Sequence, residues 1–349
     1  MKALVKAAKG EGNIEVRDVP APKIKNHDDV LIRISAAGVC GTDLHIYHDE
    51  FPYWPPVVLG HEFSGLVTET GNGVTRFKLG DRVVAEPHTH FCGKCYLCRS
   101  GNIQLCQEKR SPGWGIDGAF AEFIVMPELF LHRIPDILSD EIAALAEPMA
   151  IVVTGVLERG KSCPGDTVVI VGAGPIALLS VAAVKAAGAK EIFVLGTNAD
   201  EEQRFPAAKS LGADRIINVM NTDASAAILE ETRGVGADHV IEASGSAAGV
   251  NTAVEAAKKC GRITVLGLPG EEKIPVPWGD MVKKALDISF CFSSSVSSWE
   301  RAISILSSSP GNFNALISHR AKIDDWKKVF TDIETGKAIK VLFVPERIK

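Results

Sequence analysis

The sequence is short of the features that would tie the chain to a membrane, a nucleic acid or an oxidising compartment. No run of about eighteen uninterrupted apolar residues occurs among its 349 residues, so a spanning helix is not expected. The opening stretch, MKALVKAAKGEG, lacks the apolar centre of a secretory leader. The net charge of −5 leaves no positive excess to hold phosphate backbones or anionic lipid, and neither nucleic acid nor membrane is an expected partner. There is no internal repeat and no low-complexity tract. Cysteine is sparse, with eight residues in all. Four of them (Cys40, Cys163, Cys260 and Cys291) stand alone, mostly among apolar neighbours. That pattern suits reduced thiols rather than a disulfide framework, and predicts a cytoplasmic protein.

What is present fits two domains, because single cores rarely grow much past roughly 250 residues. Hydrophobic residues at 46% and charged residues at 23% are ordinary for a globular chain. The first part is β-rich: DDVLIRISAAGVC, FSGLVTET, DRVVAEP and AFAEFIVM are β-branched or aromatic runs between Gly, Pro and Asp signals. From about residue 150 the texture changes to strands alternating with alanine-rich helices. Strands are expected at TVVIV, EIFVL, RIINV, HVIEA, RITVLG and DISFCF, with helices over 176–187, 202–211, 224–232 and 247–259. Such alternation implies a parallel sheet with right-handed crossovers, and six strands is the Rossmann count. The tail from about 293 returns to mixed structure and is expected to rejoin the first domain.

Half of the cysteines lie in FCGKCYLCRSGNIQLC. Cys92, Cys95, Cys98 and Cys106 follow the spacing C-x2-C-x2-C-x7-C, which suits a closed tetrahedral thiolate site holding structural zinc. A DNA-reading zinc finger would want a basic helix, and only Lys94, Arg99, Lys109 and Arg110 are near. The cluster is therefore read as a staple for a loop. A second, open site is suggested by GVCGTDLH, GHEFSG and ALAEPMA, which supply Cys40, His61, Glu62 and Glu147. Catalytic zinc takes three protein ligands and leaves one position for water or substrate; one thiolate, one imidazole and one carboxylate meet that need.

These motifs, with VGAGPI at 171–176 and the pair E-P at 147–148, resemble the zinc-dependent medium-chain alcohol and polyol dehydrogenases over essentially the whole chain. The resemblance implies an α/β protein: a doubly wound Rossmann domain over 151–292, and a GroES-like catalytic domain from 1–150 and 293–349, built as a partly open β-barrel with a structural zinc lobe. It implies Cys40 and His61 as ligands of a catalytic zinc, with Glu62 or Glu147 as the third. Asp43 would orient the imidazole of His61. Adjacent residues on a regular strand point to opposite faces, so His61 and Glu62 can both bind only if the chain leaves extended geometry there. On a divalent metal an alcohol gives up its proton more readily. Thr42 is placed to accept that proton and His45 to pass it to solvent, while hydride goes to a nicotinamide.

The loop VVIVGAGPIALL closes one strand and opens a helix. Gly172 makes the turn, Gly174 admits a pyrophosphate, Pro175 suits a first helical position ahead of Ile176, and Ala177 takes the place of a third glycine. An NAD site wants an acid about twenty residues further on. Here the second strand ends instead in Gly196, Thr197 and Asn198, with Arg204 beyond, a set that favours NADP(H) over NAD(H). Asp200, Glu201 and Glu202 argue for NAD(H) if they lie close.

For the substrate, the carboxylate-type zinc set and E-P favour a secondary alcohol of a polyol or sugar derivative. Ser293 and Ile46 depart from the polyol enzymes, which carry an arginine and a tyrosine there, and HIY at 45–47 resembles threonine 3-dehydrogenases. L-threonine 3-dehydrogenase activity is the alternative within the enzyme class, and a non-enzymatic, zinc-stapled binding module the alternative outside it. Phe51, Tyr53 and Trp54 are candidate pocket walls. SFCF reads as an edge strand, and with the resemblance predicts a homodimer or homotetramer.

Overall fold

The computed structural model describes residues 1–270 and 273–345. The chain forms two compact units. One holds Met1–Glu147, Ser295–Pro310 and the segment from Ile317 onward; the other holds Pro148–Ser294 and Gly311–Leu316. The second unit thus takes 311–316, which the sequence reading gave to the catalytic domain; Phe313 and Leu316 of this segment are buried.

The first unit is a mainly antiparallel assembly. Its central strand, Asp29–Gly38, pairs along one edge with Glu62–Thr70. Its other edge is shared. Phe123–Pro127 covers the first half, and Lys340–Phe343 covers Ala37 and Gly38. The end of the chain is therefore brought beside residues 37–40, which separates Lys340 from Val39 by a few ångströms and about three hundred residues of sequence. Ile32, Leu59, Phe120, Met126 and Leu131 fill the interior.

The second unit is a six-stranded parallel sheet. Its strands are β1 (Thr167–Val171), β2 (Glu191–Gly196), β3 (Arg215–Asn218), β4 (Ala237–Glu242), β5 (Ala257–Val265) and β6 (Asp287–Phe290). The order is β3-β2-β1-β4-β5-β6, so the direction of winding reverses between β1 and β4. Ligands of doubly wound sheets bind at that reversal. β1 and β2 are nearly continuous apolar runs because helices cover both faces. The helix expected over 247–259 stops at Ala256. Ala257 instead pairs with Ala237 as the start of β5, so sheet pairing overrides the helix preference of the Ala-Lys sequence.

His239 on β4 is fully buried, with Ser162 Oγ 2.6 Å from Nδ1 and Thr264 Oγ1 2.8 Å from Nε2. Burial, and secondarily the charge of Arg262, push the ring down to about 3. The folded state thus holds a neutral imidazole that the unfolded chain protonates near pH 6.5. Its contribution to stability is complete above pH 6.5 and is lost as pH falls from there towards about 3, at no more than about 1.4 kcal/mol per pH unit. Urea unfolding of the second unit should show this as a loss of up to about 2 kcal/mol between pH 6.5 and pH 5. The loss should be smaller in His239→Gln; an equal slope in the variant would assign the acid sensitivity elsewhere.

Candidate active site

The first unit gathers its reactive side chains at the end of the central strand. Cys40 caps the helix Gly41–Tyr47, and the Asp43 carboxylate accepts from the Cys40 backbone N–H at 2.9 Å. The second contribution comes through Gly60, whose φ of +91° takes the chain out of extended geometry just before His61; the strand begins only at Glu62. No other residue fits there, since a Cβ at 60 would lie 2.4 Å from the Phe120 ring. The turn removes the expected obstacle to neighbouring ligands. Cys40, His61 and Glu62 each present one donor atom, all within 4.8 Å of one another.

Glu147 joins them from the first turn of the helix Ala146–Val152. Burial, reinforced by Glu62 and opposed by His61, Lys340 and Lys109, pushes its carboxyl up to about 7. Burial resists a charge on His61, but the Cys40 thiolate, then Asp43 and Glu147, raise the ring to about 10. Lys340 is buried; its Nζ donates to the Val39 carbonyl at 3.0 Å and to both Glu62 oxygens at 2.9 and 2.7 Å. Four potential anions (Cys40, Asp43, Glu62, Glu147) therefore face two ammonium groups (Lys340, Lys109) and the His61 ring, an excess of one negative charge in a buried volume when all are ionised. Asp43 Oδ1, His61 Nδ1 and Glu147 Oε2 are buried without a hydrogen-bond partner. A soft–borderline donor set, an excess of acidic groups and bare oxygen and nitrogen atoms fit one divalent zinc ion.

Two expectations need adjusting. Asp43 is near enough for its charge to act on His61, yet no hydrogen bond joins them. One of its oxygens is committed to the helix cap instead. Glu62 and Glu147 both face the centre, and they differ in what holds them: Glu62 is gripped by Lys340, whereas Glu147 keeps a bare oxygen.

Thr42 and His45 lie three residues apart on one helix, hence on one face. Thr42 Oγ1 is 3.6 Å from the Cys40 sulfur, and His45 Nδ1 is 2.8 Å from Glu50 Oε2. Of the candidate wall residues, Phe51 and Trp54 pack on Trp114, with ring centres 5.8 and 5.7 Å away. Tyr53 is turned into its own loop, where its hydroxyl donates to Asp49 and accepts from the Gly10 N–H.

The four clustered thiols form a separate lobe. Sulfurs of Cys92 and Cys98, Cys95 and Cys98, Cys95 and Cys106, and Cys92 and Cys106 are 3.9, 3.4, 4.0 and 3.6 Å apart. A tetrahedron with zinc–sulfur bonds of about 2.3 Å has edges of about 3.8 Å. Backbone N–H groups of Lys94 and Cys95 pull the Cys92 thiol down to about 7, while burial and the neighbouring sulfurs of Cys95 and Cys106 push the Cys98 thiol up to about 12, so without an ion the four sulfurs share protons.

In the second unit, β1 delivers Gly172, Gly174, Pro175 and Ile176 to the sheet's reversal. Gly174 caps the helix Pro175–Ala186, and a Cβ there would meet nothing within 4 Å, which leaves the helix N-terminus open to a pyrophosphate. At the end of β2, Asp200 turns inward. Its carboxylate accepts from the N–H and hydroxyl of Thr197 and pairs with Arg204 at 2.9 Å. Glu201 is held by Asn218, which also donates to Asn198. Neither acid is presented as a ribose diol acceptor. Gly196 admits no acid either: a Cβ would lie 2.5 Å from the Phe205 ring and 2.8 Å from Asp200 Oδ2.

Sequence reasoning missed Lys340 and Lys109 as members of the centre. A lysine inside the apolar strand KVLF was a usable signal for the first, because buried lysine demands a partner. Nothing in QEKR marked the second.

Comparison with known proteins accords with this geometry. Residues 26–136 match the alcohol dehydrogenase GroES-like domain, and residues 175–308 match the zinc-binding dehydrogenase family. The chain is 35% identical to sorbitol dehydrogenase of Halalkalibacterium halodurans, over 99% of both proteins. It is 36% identical to L-threonine 3-dehydrogenase of Bacillus licheniformis, again over 99% of each. A zinc-binding dehydrogenase from Sinorhizobium meliloti, solved with NADP bound, superposes with a TM-score of 0.90 at 33% identity, covering 99% of both chains. With both halves matched and full-length relatives at this identity, the chain belongs to the zinc-dependent, nicotinamide-using medium-chain alcohol and polyol dehydrogenase family.

Proposed function

We propose that the protein moves hydride between a secondary alcohol of a polyol or sugar derivative and a nicotinamide cofactor, giving a ketone. The observation that carries this is the convergence of Cys40, His61 and Glu62 on one point, with a bare oxygen of Glu147 beside it and Thr42 next to the thiolate. In this reading Cys40, His61 and Glu62 hold the catalytic zinc, and Cys92, Cys95, Cys98 and Cys106 hold a structural one. When bound, the catalytic ion supplies Lewis acidity that eases loss of the alcohol's proton. Thr42 Oγ1 takes that proton, and His45 passes it outward with its ring orientation set by Glu50. Glu147 orients water or the substrate hydroxyl through its unpartnered oxygen. In the second unit, Gly172, Gly174, Pro175 and Ile176 receive the pyrophosphate.

L-Threonine is the second reading, supported by HIY at 45–47 and by the threonine 3-dehydrogenase relative. The binding-module alternative has no use for a relay threonine and histidine beside an open metal site, and it falls away. Initial rates with polyols, sugar acids, inositols and L-threonine, each with NAD and NADP, test the proposal directly; turnover of none of them would refute it.

Further parts of the reading concern the setting. A reducing cytoplasm is supported by eight thiols without a disulfide. No described helix is long and apolar enough to cross a membrane. A homodimer or homotetramer is supported by β6, an edge strand with Phe290 69% exposed and Phe292, just beyond it, 56% exposed.

Metal analysis separates the two centres. The purified protein should carry two zinc ions per chain. Cys40→Ser should lose activity and one ion while its unfolding midpoint stays near wild type. Cys95→Ser should lose the other ion and unfold at distinctly lower urea, because the closed site constrains its loop. Loss of the same ion from both variants would contradict the division.

NADP(H) is the proposed cofactor, supported by the inward turn of Asp200, the partly exposed guanidinium of Arg204 and the NADP-bound structural relative. Arg204→Gln should raise the KM for NADP at least tenfold, the worth of one charge-assisted hydrogen bond, and change that for NAD little. Equal effects on both cofactors would make Arg204 only the partner of Asp200.

A further inference from the structure

His48 caps the C-terminal end of the helix that carries Thr42 and His45, and both of its ring nitrogens face carboxylates. Nε2 is 2.6 Å from Glu334 Oε1, on the helix Trp326–Glu334, and Nδ1 is 3.5 Å from Glu11 Oε1, on the turn at 10–12. A neutral imidazole carries one N–H and an ionised carboxylate can only accept, so the two contacts together require the imidazolium. The hydrogen bond to Glu334 first, with Glu11 and Glu50 adding to it against partial burial, raises the ring above its ordinary range. Hydrogen bonds fasten the turn at 10–12 to the same helix end. Gly12 N–H donates to the Tyr47 carbonyl at 2.8 Å, and Gly10 N–H donates to Asp49 Oδ1 at 3.3 Å. The buried Lys6 ammonium donates to the Gly10 and Gly12 carbonyls, each at 2.6 Å, and to that of Tyr47 at 3.3 Å. Asp49 takes a φ of +65°, which turns the chain back. Glu50 N–H then donates to the His45 carbonyl at 2.8 Å, and the Glu50 carboxylate reaches His45 Nδ1.

The carboxylate that steers His45 thus stands on a loop braced by the turn at 10–12, and Glu11 ties that turn to His48. We propose that His48 is a positioning residue of the proton relay: as an imidazolium it locks the turn at 10–12 to the end of the relay helix, and on losing its proton it releases Glu11 and loosens the His45–Glu50 pair. This rests on the relay role given to His45 in the dehydrogenase reading above. The neutral ring keeps its one N–H for Glu334, the closer partner, and leaves a lone pair facing Glu11. Because the folded ring binds its proton more tightly than a free one, the lock is complete below about pH 6.5 and is lost as pH rises through the folded value. The other charges at this helix end are Lys6 and Asp49. The Lys6 contacts go to carbonyl oxygens, which do not titrate, so the loop stays attached when the lock opens. His48 is 35% exposed and Glu11 76% exposed, so the lock is weak and its effect on turnover is about two- to threefold.

Glu11→Ala tests this, since it removes the acceptor from an exposed position and leaves the relay helix unaltered. With the alcohol that the panel above shows to be oxidised fastest, kcat of the variant should lie about two- to threefold below wild type at about pH 6, with KM little changed. The two profiles should converge by about pH 9.5, where the wild-type lock is open as well. His48→Asn should follow the Glu11→Ala profile, and the double variant should fall no further. Hydrogen exchange read by mass spectrometry gives a second measure that needs no turnover. The Gly12 amide should exchange about two- to threefold faster in Glu11→Ala than in wild type at about pH 6, and equally fast at about pH 9.5. A deficit of the same size at every pH would make Glu11 and His48 merely structural and overturn the proposal, as would wild-type turnover in Glu11→Ala at about pH 6. If the wild type oxidises no alcohol, the dehydrogenase reading fails; the exchange difference, present or absent, then upholds or overturns the lock by itself.

Discussion

In the first unit, a lysine from the last strand lies buried between the Val39 carbonyl and the two oxygens of Glu62. Taking two charges out of water costs several kcal/mol per ion, and their attraction offsets that only with close geometry and a full set of hydrogen bonds. Lys340 meets the condition because Leu342 and Phe343 are in register with Gly38 and Ala37. The pairing that closes the sheet is the pairing that delivers the ammonium. Cys40 and Glu62, at the adjoining ends of two strands, are thereby held in place, and the end of the chain becomes part of the centre.

A consequence is that the negative charge of the centre is restrained but not cancelled. Lys340 neutralises one carboxylate, and Lys109 opposes another from further away. What remains is enough to raise the proton affinity of His61 against its burial, which is what a site lacking positive charge does to an imidazole. The thiol lobe takes part at one remove. By fixing Cys106 it fixes the start of the loop that carries Lys109 and Trp114.

The second unit follows a simpler rule. Its sheet reverses at β1, and the loop after β1 is short, glycine-containing and capped by the start of a helix. In the proposed NADP(H) reading, selectivity at the far end turns on side-chain direction. Asp200 is close to the tip of β2 in sequence, but its carboxylate closes a turn on Thr197.

The sequence by itself determined the Rossmann half almost entirely, because strand and helix periodicity is local and each βα unit repeats the same pattern; the principal slip, at 257–259, came where a parallel partner overrode local preference. It also singled out the four-thiol lobe and the set Cys40, His61, Glu62 and Glu147, since metal donors are chemically rare and their spacing is informative. Tertiary structure alone decided the rest. Only the turn at Gly60 shows how two adjacent residues reach one point. Only long-range pairing brings Lys340 to Glu62, and only loop packing brings Lys109 to Glu147. A lysine carries no mark of where its charge will be needed: its role is set by the field of groups distant in sequence, and that field exists only once the chain has folded.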